Sequence, residues 1–258
     1  MSKRWVAIIL VGIPAWLVGS TLFGWWAWNR EHSRGIEGAK FAQEVDGELL
    51  AGDLKKVRAF ATPRGVGDER QRLGLTRMAA MIEGTLGPSN AGYEVRRLQG
   101  VAAEGGEWPA LQVVVRGDER PALWVICPYD ELPGHEDPSG VVSTMAVAAA
   151  VAGKPLGRPV RFLFVPHRKD ADLLKRMASW IPSSDVAIWI TSASGHEVEL
   201  VAGPRKDPGF QLIQPVGEST TELPEFVEFG IIPTGPPAGD DLVPVTRSLV
   251  GMISDLAR

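Results

Sequence analysis

Three short runs that are apolar almost throughout constrain this chain more than anything else in it: residues 122–127 (ALWVIC), 159–165 (PVRFLFV) and 186–190 (VAIWI). A strand with one wet face alternates apolar and polar side chains, so runs without that alternation belong to strands covered on both faces, as in parallel sheets. Helical patterns separate them. Asp137 is placed to cap a helix, Pro138 suits its first position, and residues 141–152 form an apolar body that must be buried. A second helix is predicted over 170–181. Upstream, apolar spacing predicts helices over 41–60, through Val45, Leu49, Leu50, Leu54, Val57 and Phe60, and over 68–86, which Gly87-Pro88 stops. Strands are predicted at 93–98 and 111–115. Strands alternating with helices imply an α/β fold, a mainly parallel (mixed) central sheet with helices on both faces. Ligands of such sheets gather beyond the carboxyl ends of the strands. Attention therefore falls on the residues after Cys127, Val165 and Ile190.

The chain begins differently. From Trp5 to Trp28 no side chain is charged, and the 24-residue run WVAIILVGIPAWLVGSTLFGWWAW would, as a helix rising about 1.5 Å per residue, span a hydrocarbon core of about 30 Å. Lys3 and Arg4 precede it, and Trp25, Trp26 and Trp28 close it, as an interfacial aromatic belt would, with Trp5 at the other end. Val18-Gly19-Ser20 is a poor cleavage site for a secretory signal, and a discarded peptide has no use for the tryptophans. The expected organisation is a short cytoplasmic end (1–4), a transmembrane helix (5–28), a juxtamembrane linker (29–40) and one α/β domain (41–258). The chain is expected to be a single-pass membrane protein with a cytoplasmic N-terminus and an extracytoplasmic body. Membrane lipid is then a partner through the helix.

Without residues 1–28 the chain has 25 basic and 31 acidic residues, a net charge of −6. That balance argues against nucleic acid as a partner. Cys127 is the only cysteine, so no internal disulfide can form, and a lone thiol ending a buried strand reads as packing rather than as a nucleophile. The phosphate loop G-x-x-x-x-G-K-[ST], the zinc motif H-E-x-x-H and the nucleophile elbow G-x-S-x-G are all missing from the sequence.

The informative stretch is WVICPYDELPGHEDPSG from Trp124 to Gly140, followed by the apolar helix and then by VRFLFVPHRKD. A buried strand, a short H-x-D-like turn, a loop, an acidic pair opening an apolar helix and a strand ending in a charged pair together resemble the co-catalytic di-zinc exopeptidases. These are the aminopeptidase Y type, whose relatives include glutaminyl cyclases and membrane-tethered glutamate carboxypeptidases. The segment Pro224-Glu225-Phe226-Val227-Glu228-Phe229-Gly230-Ile231, with Pro233, is similar to that family's p-F-x-x-x-G-I-P segment. The entry through Pro63-Arg64 is similar as well, so the resemblance covers roughly residues 45–258.

The resemblance implies two zinc ions about 3.5–4 Å apart, held by histidines and carboxylates and joined by a bridging carboxylate. This sequence departs from that pattern. The histidine of the H-x-D turn falls on Pro128, which has no donor, while its aspartate falls on Asp130. The bridging aspartate falls on Glu136, beside Asp137. The Glu-Glu pair that supplies the general base and a ligand falls on Arg168 and Lys169, a reversal of charge. At an effective dielectric of about 20, two divalent ions and two side-chain cations so close would repel by several kcal/mol. The aspartate after the third central strand falls near Thr191 or Ser192, and no histidine follows His196. Expected is a vestigial pocket of Pro128, Asp130, Glu136, Asp137, Arg168 and Lys169, without a cofactor, in a domain that binds or scaffolds a protein or peptide. The alternative is a divergent metallo-aminopeptidase or amidohydrolase with a rearranged single zinc on His135, Glu136 and His167. Against it, Asp137 and Glu136 are also explained as anions at a helix N-terminus, and histidines in loops are usually just solvated.

Overall fold

A computed structural model describes residues 20–21, 23–25, 44–103, 106–131, 136–195, 197–203, 224–234 and 241–258. The chain divides into two units, Met1–Lys40 and Phe41–Arg258. In the first, residues 20–21 and 23–25 are helical, with Phe23 and Trp25 exposed. Trp5, Trp26, Trp28 and most of the apolar run lie outside the described residues. Among the described residues no helix is long and apolar enough to cross a membrane.

The second unit opens with two helices that acidic residues start. Asp46 accepts the amides of Glu48 (2.8 Å) and Leu49 (3.4 Å) at the head of α1 (Gly47–Phe60). Asp68 and Gln71 form a reciprocal capping box at α2 (Glu69–Leu86). Seven strands follow: β1 (Arg96–Ala103), β2 (Gly106–Val115), β3 (Leu123–Pro128), β4 (Val160–Val165), β5 (Val186–Ile190), β6 (Glu197–Ala202) and β7 (Phe229–Thr234). Helix α3 (Ser139–Val151) joins β3 to β4, α4 (Ala171–Trp180) joins β4 to β5, and α5 (Val243–Leu256) follows β7. They form one sheet in the order β1-β2-β4-β3-β5-β7-β6. Its four central strands are parallel, and the outer ones pair antiparallel. The three apolar runs are thus β3, β4 and β5, side by side in the middle.

Strand parity divides the core in two. Along β3, Leu123, Val125 and Cys127 join a large core with α1, α2, α3 and α5. Trp124 and Ile126 join a smaller one, closed by Leu173 and Met177 of α4. Helices therefore cover both faces, four on one side and one on the other.

Several expected boundaries move. The strand expected at 93–98 runs Arg96–Ala103, through an irregularity between Leu98 and Val101. Gly100 sits where a Cβ would strike the Trp108 carbonyl, so the strand needs glycine for close pairing. Pro138 occupies the cap position of α3 rather than its first turn, with no side-chain cap of its own. Asp137, one residue earlier, still accepts the amide of Ser139 (2.9 Å). Strands β6 and β7 and helix α5 complete the sheet beyond what the apolar runs announced.

Asp185, before β5, ties this sheet together. It is buried, and its two oxygens accept from the Ala122 amide (3.0 Å) and the Trp124 indole N–H (2.9 Å). Asp185→Ala would strand both donors, and urea unfolding is expected to show a loss of about 3 kcal/mol, against a smaller loss for Asp185→Asn. Cys127 is fully buried, and burial pushes its thiol up to about 12. It should resist iodoacetamide at pH 8 in the folded chain and react only once denaturant is added.

Candidate functional site

The site forms where the central strands end. β3 pairs with β4 up to Pro128 opposite Val165. The Tyr129 amide then donates to the Val165 carbonyl (2.8 Å), carrying the ladder one residue further. The Tyr129 hydroxyl donates to the Pro109 carbonyl (2.7 Å), and burial pushes that phenol up. With Tyr129 so held, Asp130 and Glu131 leave the strand in succession, 3% and 8% exposed. Two adjacent carboxylates out of water need cations or strong donors.

Asp130 finds them in the turn after β4. Arg168 Nε lies 3.1 Å from Asp130 Oδ1, and its backbone N–H donates to Oδ2 at 3.2 Å. Arg168 Nη2 donates to the Asp130 carbonyl at 2.5 Å. His167 Nδ1 stands 3.2 Å from the same Oδ2. Side chain and backbone of Arg168 thus enclose one acid, with a histidine beside it.

Glu131 is met from the other direction. Arg64, itself 2% exposed, places Nη2 at 2.7 Å from Glu131 Oε1 and its amide at 3.1 Å from Oε2. Arg64 Nε donates to the Tyr129 carbonyl (2.8 Å), and the Glu131 amide donates to the Arg64 carbonyl (2.9 Å). Burial pushes the Glu131 carboxyl up and the Arg64 guanidinium down, while each opposite charge favours the ionised form of its partner. The sequence reading noted Arg64 only within a similar segment and missed Glu131. The available signal was two consecutive acids directly after a buried strand.

A second cluster lies at the head of α3. Asp137 Oδ2 accepts from the Ser192 hydroxyl at 2.5 Å, and the Ala193 amide donates to Ser139 Oγ at 2.9 Å. A Cβ on Gly140 would meet the Thr191 carbonyl at 2.6 Å. The loop after β5 is therefore pressed against the helix start.

The structure brings Pro128, Asp130, His167 and Arg168 to one strand end, and joins Asp137 to Ser192. Glu136 and Lys169 are exposed, and neither makes an ion pair or hydrogen bond with a described residue. His135 lies outside the described residues, as does His196. Among the described residues no three His, Cys, Asp or Glu side chains converge to hold a metal ion. Pro128 offers no donor, and both oxygens of Asp130 are engaged by Arg168 and His167. The described residues do not fit a zinc pair.

No protein-family model and no curated protein matches the sequence. Solved structures do match in shape. LapA of Legionella pneumophila superposes with a TM-score of 0.53 at 11% identity, over 88% of this chain and 76% of that one. A protein assigned as a Zn-dependent exopeptidase, from Bacteroides vulgatus, gives 0.52 at 13% identity, over 84% and 97%. A leucine aminopeptidase precursor from Bacteroides thetaiotaomicron gives 0.50 at 12%, over 83% and 98%. The domain has the mixed α/β fold of these exopeptidase-like structures.

Proposed function

We propose that this chain is a membrane-anchored, aminopeptidase-like domain that has lost its zinc site and general base and serves to bind or scaffold a protein or peptide. The observation that supports this best is the enclosure of Asp130. Its carboxylate is satisfied by Arg168 through both side chain and backbone, at the strand end where zinc-dependent relatives of this fold would need metal ligands. A guanidinium carries only donors, so Arg168 can neutralise a buried acid but cannot serve as the general base that hydrolysis requires. Pro128, and Thr191 or Ser192, likewise put groups of little metal affinity at two further positions implied by the resemblance.

In this reading the body stands outside the cytoplasm on the helix of residues 5–28, and the linker of residues 29–40 sets its distance from lipid. A partner would engage the surface beyond the carboxyl ends of β3, β4 and β5, where Glu136 and Lys169 are exposed.

One observation favours a second reading, a hydrolase with a rearranged single-metal site. His167 contacts Asp130 through Nδ1 and is 30% exposed, so its Nε2 is left to face a ligand, as in histidines that a carboxylate orients for metal binding or proton transfer. His135 and Glu136 would complete such a site.

Metal analysis of the purified full chain separates the two. Far less than one zinc per chain is expected, and one tightly held zinc per chain would overturn the scaffold reading. An aminopeptidase and amidase screen with added divalent metals should be silent; activity abolished by His167→Ala would establish the second reading instead. Arg168→Ala leaves Asp130 buried without its main cation and should lower stability by about 3 kcal/mol in urea unfolding, with Arg168→Glu worse. The anchor is checked separately: the full chain should resist alkaline carbonate extraction from membranes, and removal of residues 1–28 should release it.

A further inference from the structure

At the opposite end of the sheet, three arginines line one pocket. Arg161 is the second residue of β4 and pairs in register with Val114 of β2 on one side and with Trp124 of β3 on the other. Arg96 opens β1 opposite Gln112, and Arg116 follows the end of β2. Val114, Arg116 and Arg161 share the parity of Trp124, which joins the smaller core, so they belong to the face that α4 covers. Six residues at about 3.3 Å each separate Trp124 from Asp130 along the chain, so this place is distinct from the site above.

The arginines line a pocket of about 380 Å³, with Glu94 as its single acid. That volume is within the usual range of about 300–1,000 Å³ for small-ligand sites. None of Arg96, Arg116 and Arg161 forms an ion pair with a described residue, on a chain whose net charge is −4. Arg161 is fixed in place. Its guanidinium lies 5.2 Å from the centre of the Trp124 ring, whose N–H is held by Asp185, and its buried Nε has no hydrogen-bond partner. Three guanidinium groups lining one open volume with a single carboxylate leave positive charge there to be balanced by an anion.

We propose that this pocket binds the phosphate group of a small phosphorylated molecule. Guanidinium forks match the oxygens of phosphate in pairs, and three of them converging from neighbouring strands suit a group with several acceptor oxygens better than a single carboxylate. A lipid headgroup carries the same chemistry as a soluble phosphate ester. The test distinguishes the two.

Isothermal titration of the full chain, in a maltoside detergent and phosphate-free buffer, would use inorganic phosphate, pyrophosphate, a short-chain phosphatidylglycerol below its micelle concentration, and citrate at matched ionic strength. Saturable binding of a phosphate-bearing probe is expected, tighter than for citrate. Arg96→Gln and Arg116→Gln, both at exposed positions, should each weaken it by about tenfold. Glu94→Gln should tighten it. The strongest heat with the phosphatidylglycerol arm would assign the source to lipid, and with pyrophosphate to a soluble ester. Absence of saturable binding, or affinities that Arg96→Gln and Arg116→Gln leave unchanged, would overturn the proposal and leave the arginines as solvated cations beside an edge strand.

Discussion

Two adjacent carboxylates that leave a buried strand together, Asp130 and Glu131, organise this end of the molecule. Burying both costs free energy unless each is paired, and the chain supplies the partners from two distant places. Arg64 comes from the connection between α1 and α2, and Arg168 from the turn after β4. The pairing therefore fastens the first two helices to the end of β3 from one side and fixes the β4 turn from the other. Removing one partner costs more than a surface ion pair would, because the remaining charge stays out of water.

The same constraint links fold to chemistry. A buried carboxylate at the end of a parallel strand can be neutralised by a metal ion or by a guanidinium, and the sheet need not change between the two. A guanidinium adds directional hydrogen bonds: Arg168 reaches both the Asp130 side chain and its backbone carbonyl. It does not supply an open coordination position at which water or a carbonyl could be polarised. The layout shared with exopeptidase-like structures is thus compatible with a guanidinium at the strand end, because the sheet is held by its own apolar packing and by Asp185.

Much of the fold was legible because it rests on periodicity. The apolar runs of β3, β4 and β5 leave only a doubly covered strand as an option, and Asp68, Asp170 and Gly87 mark helix ends by local hydrogen bonding. The remainder depends on tertiary contacts. Gly100 is demanded by the approach of the Trp108 carbonyl, a contact that no local pattern announces. At the site, the pairing of Asp130 with Arg168 follows from the strand order once β3 and β4 are neighbours. The pairing of Glu131 with Arg64 spans 67 residues and no local pattern announces it.

The two ends of the sheet differ in how charge is settled. Beyond the carboxyl ends the two described buried acids that follow β3, Asp130 and Glu131, each have a cation. Near the amino ends of β3 and β4, Arg161 is held over Trp124, which Asp185 fixes in turn, while its Nε lacks an acceptor. Guanidinium groups gathered at one pocket by neighbouring strands keep the ordering cost of binding low, because the strands that carry them are in place before an anion arrives.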